Sequence, residues 1–228
     1  MDLYSTYAQE FSNTRQAPWD GWKHLLKYLK STPNAKILDL GCGNGRFLKY
    51  LVASDIQIGS YVGVDNSSEL LKMTDEFMDK SRSANRLSKF QLLNLDFEDI
   101  GWGTEITEQF DFIGAFGITH HLKTVNSRKK FFETVNFLLK PDAYFAVTFW
   151  EFLKMDRYAN KLTPVAVDGS QNDFEMTFGT NGAKRFCHYY NPLEIIEFTH
   201  NLPFKTIEEF NEDGVENNQN HYIVYKKN

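Results

Sequence analysis

Three glycines at every second position, Gly41, Gly43 and Gly45, mark the stretch of the chain with the clearest capacity for chemistry. The apolar run ILDL precedes them and apolar residues at helical spacing follow them, which predicts a strand, a glycine loop and a helix. Glycine permits positive φ and a close approach of the backbone to a ligand. The start of the helix adds unpaired N–H groups and a partial positive charge. The stretch therefore predicts a site that can hold an anionic group.

The spacing of the glycines distinguishes between cofactors. Dinucleotide sites use G-x-G-x-x-G, but here the third glycine comes one residue early and Arg46 stands in its expected place. The stretch instead resembles the first motif of class I S-adenosylmethionine (SAM) methyltransferases, hydrophobic-D-x-G-x-G-x-G. The matching positions are Asp39, Gly41, Gly43 and Gly45. The resemblance implies SAM as cofactor, S-adenosylhomocysteine as product, and a contact from Cys42 inside the loop. The alternative is a structural turn without a ligand.

Further cofactor contacts are predicted where the next strands end. Asp65 closes the strand-like segment YVGVD, where an acidic residue can accept hydrogen bonds from ribose hydroxyls. The pair Asp96-Phe97 resembles the acidic and apolar pair that the family places beside adenine. Two residues complete the predicted set: Asn66, directly after Asp65, and Phe116, at the end of the fourth strand-like segment.

Strand-like and helix-like segments alternate, which predicts right-handed βαβ units and a parallel sheet. The resemblance adds a final antiparallel hairpin, so the expected α/β fold is a Rossmann-like, seven-stranded, mostly parallel sheet with helices on both faces. The predicted strands cover residues 37–40, 61–65, 89–96, 110–117, 143–150, 204–210 and 221–226. In such a sheet the ligand crevice lies beyond the carboxyl ends of the strands.

A single domain over residues 1–228 suits this length. Residues 1–31 are expected to form an N-terminal helical arm, within which residues 19–30 predict one amphipathic helix. Residues 151–190 break the alternation after strand five, are polar, and contain two short strand-like pieces. We interpret them as a small cap insertion in which the acceptor is chosen.

Sequence patterns near both ends of the chain indicate a narrower family within the methyltransferases. The arm pattern Y-x-x-x-F-x-x-T-R-x-x-P-W at residues 7–19 resembles the start of tRNA wobble-uridine carboxymethyl methyltransferases. The doublet His120-His121 and the segment at residues 185–190 also fit that family. The resemblance implies that the methyl acceptor is a carboxymethyl group on tRNA.

The resemblance also assigns roles: Tyr7 and Arg15 fold over the cofactor, and Arg185 faces the acceptor. A carboxylate is ionised at neutral pH, so methyl transfer to it needs no general base, only groups that orient it. Arg185 suits this task because a guanidinium can bind a carboxylate bidentately. His120 and His121 complete the predicted catalytic set. They either shape the cofactor pocket or hydrogen-bond to the acceptor carboxylate or the uracil edge.

The charge balance bears on the acceptor. The formal net charge is −5 and the pI about 5.7, which argues against tight unaided binding to tRNA phosphates. The lysines within residues 23–30 form a stripe that is either a solvated face or a phosphate contact. Residues 128–130 form a second basic group. The resemblance further implies a small zinc-containing activator protein as a partner.

Two other functions are compatible with the same motifs. One is a small-molecule O- or N-methyltransferase with the insertion as its lid. The other is a SAM-binding module without catalytic activity that activates a partner protein.

The cysteines and the apolar runs indicate what else to expect. Cys42 and Cys187 are the only cysteines, and neither has metal-ligand spacing to another Cys or His, so no metal site is predicted. The apolar runs are too short to span a bilayer, and the N-terminus shows no signal-peptide pattern. We therefore expect a cytoplasmic protein with no membrane partner.

Overall fold

The computed structural model describes residues 8–81, 87–178 and 182–228. Its main sheet consists of β1 (Ala35–Leu40), β2 (Ile58–Asp65), β3 (Leu87–Asn94), β4 (Phe110–Ala115), β5 (Leu139–Trp150), β9 (Phe204–Glu212) and β10 (Asn220–Lys227). The strand order is β3-β2-β1-β4-β5-β10-β9. Neighbours are parallel except at β10, which runs antiparallel to both β5 and β9. The predicted seven-stranded sheet and its final hairpin are therefore confirmed.

Helices pack on both faces of this sheet, because successive strand residues point to opposite sides. They are α1 (Ala8–Asn13), α2 (Leu26–Lys30), α3 (Arg46–Ala53), α4 (Ser68–Ser81), α5 (Val125–Leu138), α6 (Asp156–Ala159) and α7 (Pro192–Thr199). Leu38 of β1 packs on the face covered by α5 and α7. Its neighbour Ile37 packs on the face covered by α2, α3 and α4. The sheet thus has a buried core on each side, as a Rossmann-like domain requires.

The N-terminal segment differs from the predicted single helix. Asp20–Leu25 is a 3₁₀ helix, and only α2 continues as an α-helix. The N–H of Gly21 donates to the carboxylate of Asp213 at 3.0 Å. A Cβ on Gly21 would collide with the ring of Tyr222. Contacts with residues far along the chain therefore fix this segment, and the local apolar periodicity did not reveal them.

The lysine stripe of this segment lies against β9. Lys23 Nζ is 3.0 Å from the carboxylate of Glu212, and Lys27 Nζ is 2.9 Å from that of Glu208. Two of the three lysines are therefore already paired with acids of the same chain. All three lysines are exposed, so the stripe is a solvated face in which two of the charges are matched by acids of β9.

The insertion after β5 forms a small antiparallel sheet of its own. Its strands are β6 (Leu162–Val165), β7 (Asp173–Phe178) and β8 (Ala183–His188). The two predicted pieces correspond to β7 and β8. β6 was not predicted, because it is only four residues long and contains Pro164. A separate apolar cluster around Phe152 and Met176 joins this sheet to the end of β5.

Candidate cofactor and acceptor site

A cleft of about 1170 Å³ opens at the carboxyl ends of the central strands. The predicted site residues that line it are Arg15, Asp39, Gly41, Cys42, Gly43, Asp65, Asn66, Asp96, Phe97, Phe116, His120, His121 and Arg185. Two predicted contacts are not among them. Gly45 does not contribute to the lining, and Tyr7 lies outside the described residues. Most of the predicted set is thus brought into one cleft, together with residues of the insertion.

The glycine loop bends sharply between β1 and α3. Gly41 has φ 73°, and a Cβ there would collide with Cγ2 of Ile118, so a side chain would push the loop away from the segment that follows β4. Gly45 has φ 72°, precedes α3 and packs against Thr74. The geometry gives Gly45 a role in the turn and in helix packing, and it does not support the predicted contact with the cofactor.

Asp65 fixes the loop from the end of β2. One carboxylate oxygen accepts the N–H of Gly43 at 2.8 Å, and the other accepts the N–H of Ser67 at 3.0 Å. A carboxylate offers about four lone-pair positions, so Asp65 can hold the loop and still accept hydroxyl donors from the cleft. Ser67 caps α4 by accepting from the N–H of Leu70. Asn66 lies beside it on the cleft wall.

Asp39 and Cys42 lie in apolar surroundings beneath the loop. Asp39 is buried, and its carboxylate accepts a hydrogen bond from the hydroxyl of Tyr61 at 2.6 Å. Burial raises the pKa of Asp39 to about 7, although the bond from Tyr61 acts in the opposite direction. Burial also raises the pKa of the Cys42 thiol well above its ordinary value. Cys42 is therefore suited to packing and not to nucleophilic attack.

The predicted adenine end lies beyond β3. Asp96 lies on the cleft wall, and one of its carboxylate oxygens accepts the N–H of Glu98 at 3.0 Å. The ring of Phe97 packs edge-on against Trp102 at 5.0 Å and against Phe131 at 5.7 Å. The aromatic wall is therefore held rigidly by the core, beside a carboxylate whose other oxygen can accept a donor.

The predicted catalytic residues meet around Trp150, the last residue of β5. The ring of Trp150 lies 4.9 Å from the His120 ring, and the guanidinium carbon of Arg185 lies 4.9 Å from the same ring system. His120 and His121 belong to the 3₁₀ turn Thr119–His121, with their ring centroids 4.1 Å apart. Arg185 comes from β8. Residues of the core and of the insertion thus meet at one end of the cleft, which we call the acceptor end.

Both imidazoles at the acceptor end are neutral at pH 7. Burial and then the charge of Arg185 lower the pKa of His121 to about 3. Burial, His121 and Arg185, in that order, hold the pKa of His120 well below its ordinary value. Nδ1 of His121 lies 3.2 Å from the carbonyl oxygen of Phe186, so this nitrogen carries the ring proton. The positive charge at the acceptor end therefore comes from the arginines, among them Arg15.

A buried charged cluster joins the insertion to the core behind the acceptor end. His188 of β8 places Nδ1 2.5 Å from Asp173 and Nε2 2.9 Å from Glu194. Arg128 of α5 is fully buried, 3.6 Å from Glu194 and 4.0 Å from Asp173. It also donates to two backbone carbonyls ahead of α5. His188 is therefore a structural residue, and Arg128, being fully buried, does not belong to an exposed basic group at residues 128–130.

A protein-family model described as "Methyltransferase domain" matches residues 12–209. The chain belongs to this methyltransferase family. A tRNA (carboxymethyluridine(34)-5-O)-methyltransferase of Arabidopsis thaliana is 28% identical over 72% of this chain and 36% of its own length. An enzyme of the same name from Schizosaccharomyces pombe is 27% identical over 61% of this chain and 50% of its own length. The chain thus spans between about a third and a half of these relatives.

The fold of this methyltransferase is shared with solved structures. A SAM-dependent methyltransferase from Clostridium acetobutylicum superposes with a TM-score of 0.69 over 99% of both chains, at 16% identity. Together, the family and the fold confirm the predicted class, a SAM-dependent methyltransferase with SAM as cofactor. Of the helices that the structure describes, none has the length and apolar character that a bilayer crossing requires.

Arg46 is a cleft residue of the methyltransferase that the glycine spacing did not predict as a ligand contact. Its guanidinium carbon lies 5.0 Å from the ring of Trp19 and 5.5 Å from that of Trp22. No carboxylate among the described residues forms an ion pair with it. Burial and then the charge of Arg15 lower its pKa to about 10. Its place in the first turn of α3, where anions are stabilised, was the available signal.

Proposed function

We propose that this methyltransferase transfers the methyl group of SAM to the carboxylate of a carboxymethyl group on the wobble uridine of tRNA. The observation that carries the proposal is the meeting of Arg185, His120 and His121 in the same cleft as the glycine loop. The relatives named as carboxymethyluridine methyltransferases support this acceptor.

The loop and the strand ends fit the nucleoside part of SAM. A Cβ added to Gly43 would lie 4.0 Å from the nearest side-chain atoms, Oδ2 of Asp65 and Cδ1 of Leu70. The backbone at Gly43 therefore leaves space for a ligand. In the proposed complex Asp65 accepts from the ribose hydroxyls and Asp96 accepts from the adenine amine. Phe97 packs against the adenine ring, held in place by its aromatic neighbours.

The two arginines near α3 fit the other end of the cofactor. Arg46 lacks an ion-pair partner among the described residues. It lies close enough to Arg15 for the charge of Arg15 to lower its pKa. Two positive charges held near each other favour an anion between them. We assign the methionine carboxylate of SAM to Arg46 and Arg15, which adds Arg46 to the predicted contacts.

At the acceptor end, the chemistry needs orientation and no proton transfer. SAM supplies an activated methyl group, and a carboxylate with a pKa near 4 is already the nucleophile at neutral pH. Arg185 holds one side of the carboxylate, and its contact with Trp150 limits the guanidinium to few orientations. The neutral ring of His120 can donate one hydrogen bond to the acceptor. The single N–H of His121 already donates to the carbonyl oxygen of Phe186, so His121 shapes this end of the cleft without adding charge.

The charge of the chain is part of the proposal. With a formal net charge of −5, with Lys23 and Lys27 paired to acids and with Arg128 buried, the chain offers little basic surface for tRNA phosphates. We therefore include the small activator protein of the related enzymes as a proposed partner that assists RNA binding in the cytoplasm.

Methyl transfer from labelled SAM tests the acceptor. Bulk tRNA is first treated with mild alkali, which hydrolyses existing methyl esters to carboxylates. The full chain is then incubated with this tRNA and, in a parallel reaction, with a mixture of small carboxylic acids and amines. We expect label in the tRNA, released again by alkali because the product is an ester. Label only in small molecules would overturn the tRNA proposal in favour of the small-molecule alternative. SAM binding without transfer to either would favour the catalytically silent module.

The Arg185→Ala variant tests the assignment of the acceptor end. We expect its affinity for SAM to stay within about twofold of the unmodified chain, while turnover falls by about a hundredfold, as for loss of one oriented charged group. Isothermal titration calorimetry and initial rates measure the two quantities. Loss of SAM binding would instead place Arg185 at the cofactor.

A further inference from the structure

The acceptor end contains three metal-ligand side chains that the proposed transfer does not use as a set. His120, His121 and Cys187 each place one ligand atom so that the three atoms lie within 4.8 Å of one another. Cys187 is fully buried and His120 is only 5% exposed. Spacing along the sequence does not reveal this group, because the histidines follow β4 and the cysteine lies in β8.

Hydrogen bonds hold these two pieces of chain against each other. The carbonyl oxygen next to Cys187, that of Phe186, lies 3.2 Å from Nδ1 of His121. The hydroxyl of Tyr190 donates to the carbonyl oxygen of Thr119 at 3.0 Å, one residue before the histidines. The donors therefore lie on elements that are already positioned against each other.

We propose that His120, His121 and Cys187 bind Zn²⁺, with two imidazoles and one thiolate as ligands. Imidazole nitrogen and thiolate sulfur suit zinc and its chemical relatives, whereas Mg²⁺ and Ca²⁺ prefer oxygen. The thiol of Cys187 releases its proton to solvent when the ion binds. Three protein ligands leave one position of a tetrahedral site, and water or an oxygen atom of a ligand in the cleft takes it, since both histidines line the cleft.

Hydrogen bonding around the two rings supports this assignment. Because Nδ1 of His121 faces a carbonyl oxygen, its lone pair lies on Nε2, and zinc-bound histidines are commonly oriented by such a bond from the other nitrogen. Nδ1 of His120 is buried and has no hydrogen-bond partner among the residues that the structure describes. A buried polar atom without a partner is rare and unfavourable. A metal ion drawn to this imidazole and its neighbours would offset that deficit.

The arginines set the strength of the site. Arg185 and Arg15 act electrostatically on both histidines, so they oppose a divalent cation as well. The thiolate of Cys187 compensates for part of that charge. We therefore expect zinc to bind one per chain, and we expect Arg185→Gln to bind it more tightly than the unmodified chain does.

Cobalt titration tests the site directly, without SAM or RNA, so its outcome is independent of the proposed acceptor. The reduced, metal-free full chain is titrated with Co²⁺ under anaerobic conditions and then with Zn²⁺ as a competitor. We expect a thiolate-to-cobalt charge-transfer band that saturates at one ion per chain and disappears on addition of Zn²⁺. Absence of this band from the folded, unmodified chain would overturn the proposal.

Two ligand variants and one matched control test the assignment. Cys187→Ser should lose the band, and His121→Gln should weaken cobalt binding by about tenfold or more. The matched control is Cys42→Ser, which removes the other cysteine and should keep the band. Circular dichroism checks that each variant is folded. If Cys187→Ser does not fold, Cys187→Ala is used in its place. A band that survives in the folded Cys187 variants, or that disappears with Cys42, contradicts the assignment.

Discussion

The two ends of the cleft are built in different ways. The cofactor end consists of one continuous loop between β1 and α3, held by the carboxylate of Asp65 through backbone N–H groups. The acceptor end gathers side chains from three separate segments: the turn after β4, the end of β5 and strand β8. Its support is a buried cluster of charges around His188. The first end is specified locally, and the second depends on the packing of the insertion.

This difference predicts which changes damage which property. A loop held by backbone groups tolerates loss of a distant charge, whereas an end assembled from distant side chains fails when the contacts between its segments are lost. Changes in the charged cluster should therefore lower stability, while changes in the loop should lower cofactor affinity. Four variants test that separation, from the largest expected effect to the smallest.

Asp173→Ala should be the most damaging of these changes. Asp173 is fully buried, accepts from His188 and from the N–H of Val167, and lies 4.0 Å from Arg128. Removing one partner of a buried charged group leaves the others uncompensated, at a cost of about 3–5 kcal/mol. Urea unfolding of the full chain measures this loss of free energy.

The control is Glu175→Ala on the same strand. The ion pair of Glu175 with Lys184 is largely exposed and contributes under about 1 kcal/mol to the free energy of unfolding. Equal losses in the two variants would contradict the structural role of the cluster.

Asp65→Ala should weaken SAM binding by about 1–3 kcal/mol, because it removes the proposed ribose contact and leaves two N–H groups without their acceptor. Calorimetric titration with SAM measures the change. Asp65→Asn keeps one acceptor oxygen and should lose less. An unchanged dissociation constant for the alanine variant would show that the ribose assignment is wrong.

Arg46→Gln tests the carboxylate assignment with a smaller expected effect, about 1.5 kcal/mol or roughly tenfold in the dissociation constant for SAM. Arg46→Lys keeps the charge and should recover part of it. The decisive comparison uses methylthioadenosine, which has the nucleoside of SAM without the carboxylate. Its affinity should be the same in the unmodified chain and in Arg46→Gln. A parallel loss for both ligands would mean that the variant disturbs the loop in general.

The sequence predicted the cofactor end far better than the acceptor end, for the same physical reason. Strand, glycine bend and helix follow one another along the chain, so Gly41 and Asp65 can be assigned from spacing and flanking residues. Arg46 was not predicted as a ligand contact, because it was interpreted only as the residue that replaces the third glycine of a dinucleotide motif. The role of Trp150 and the burial of Arg128 depend on how the insertion packs on α5 and β5. No local periodicity encodes that packing, and the 3₁₀ winding at Asp20–Leu25 was mispredicted for the same reason.

A change in the lysine stripe of the N-terminal segment should have the smallest effect on stability and on tRNA binding. It therefore tests whether the RNA contacts extend beyond the cleft. Lys27 pairs with Glu208 at 2.9 Å and is mostly exposed, so Lys27→Ala should change the free energy of unfolding by under about 1 kcal/mol. Because its charge is already matched by β9, the variant should also bind tRNA with unchanged affinity and salt dependence. Filter binding across a range of salt concentrations measures this, with Lys123→Ala, an exposed lysine on the cleft wall, as the comparison. A reduced salt slope for Lys27→Ala alone would move the RNA contact from the cleft to the N-terminal segment, because each lost phosphate contact lowers that slope by about one.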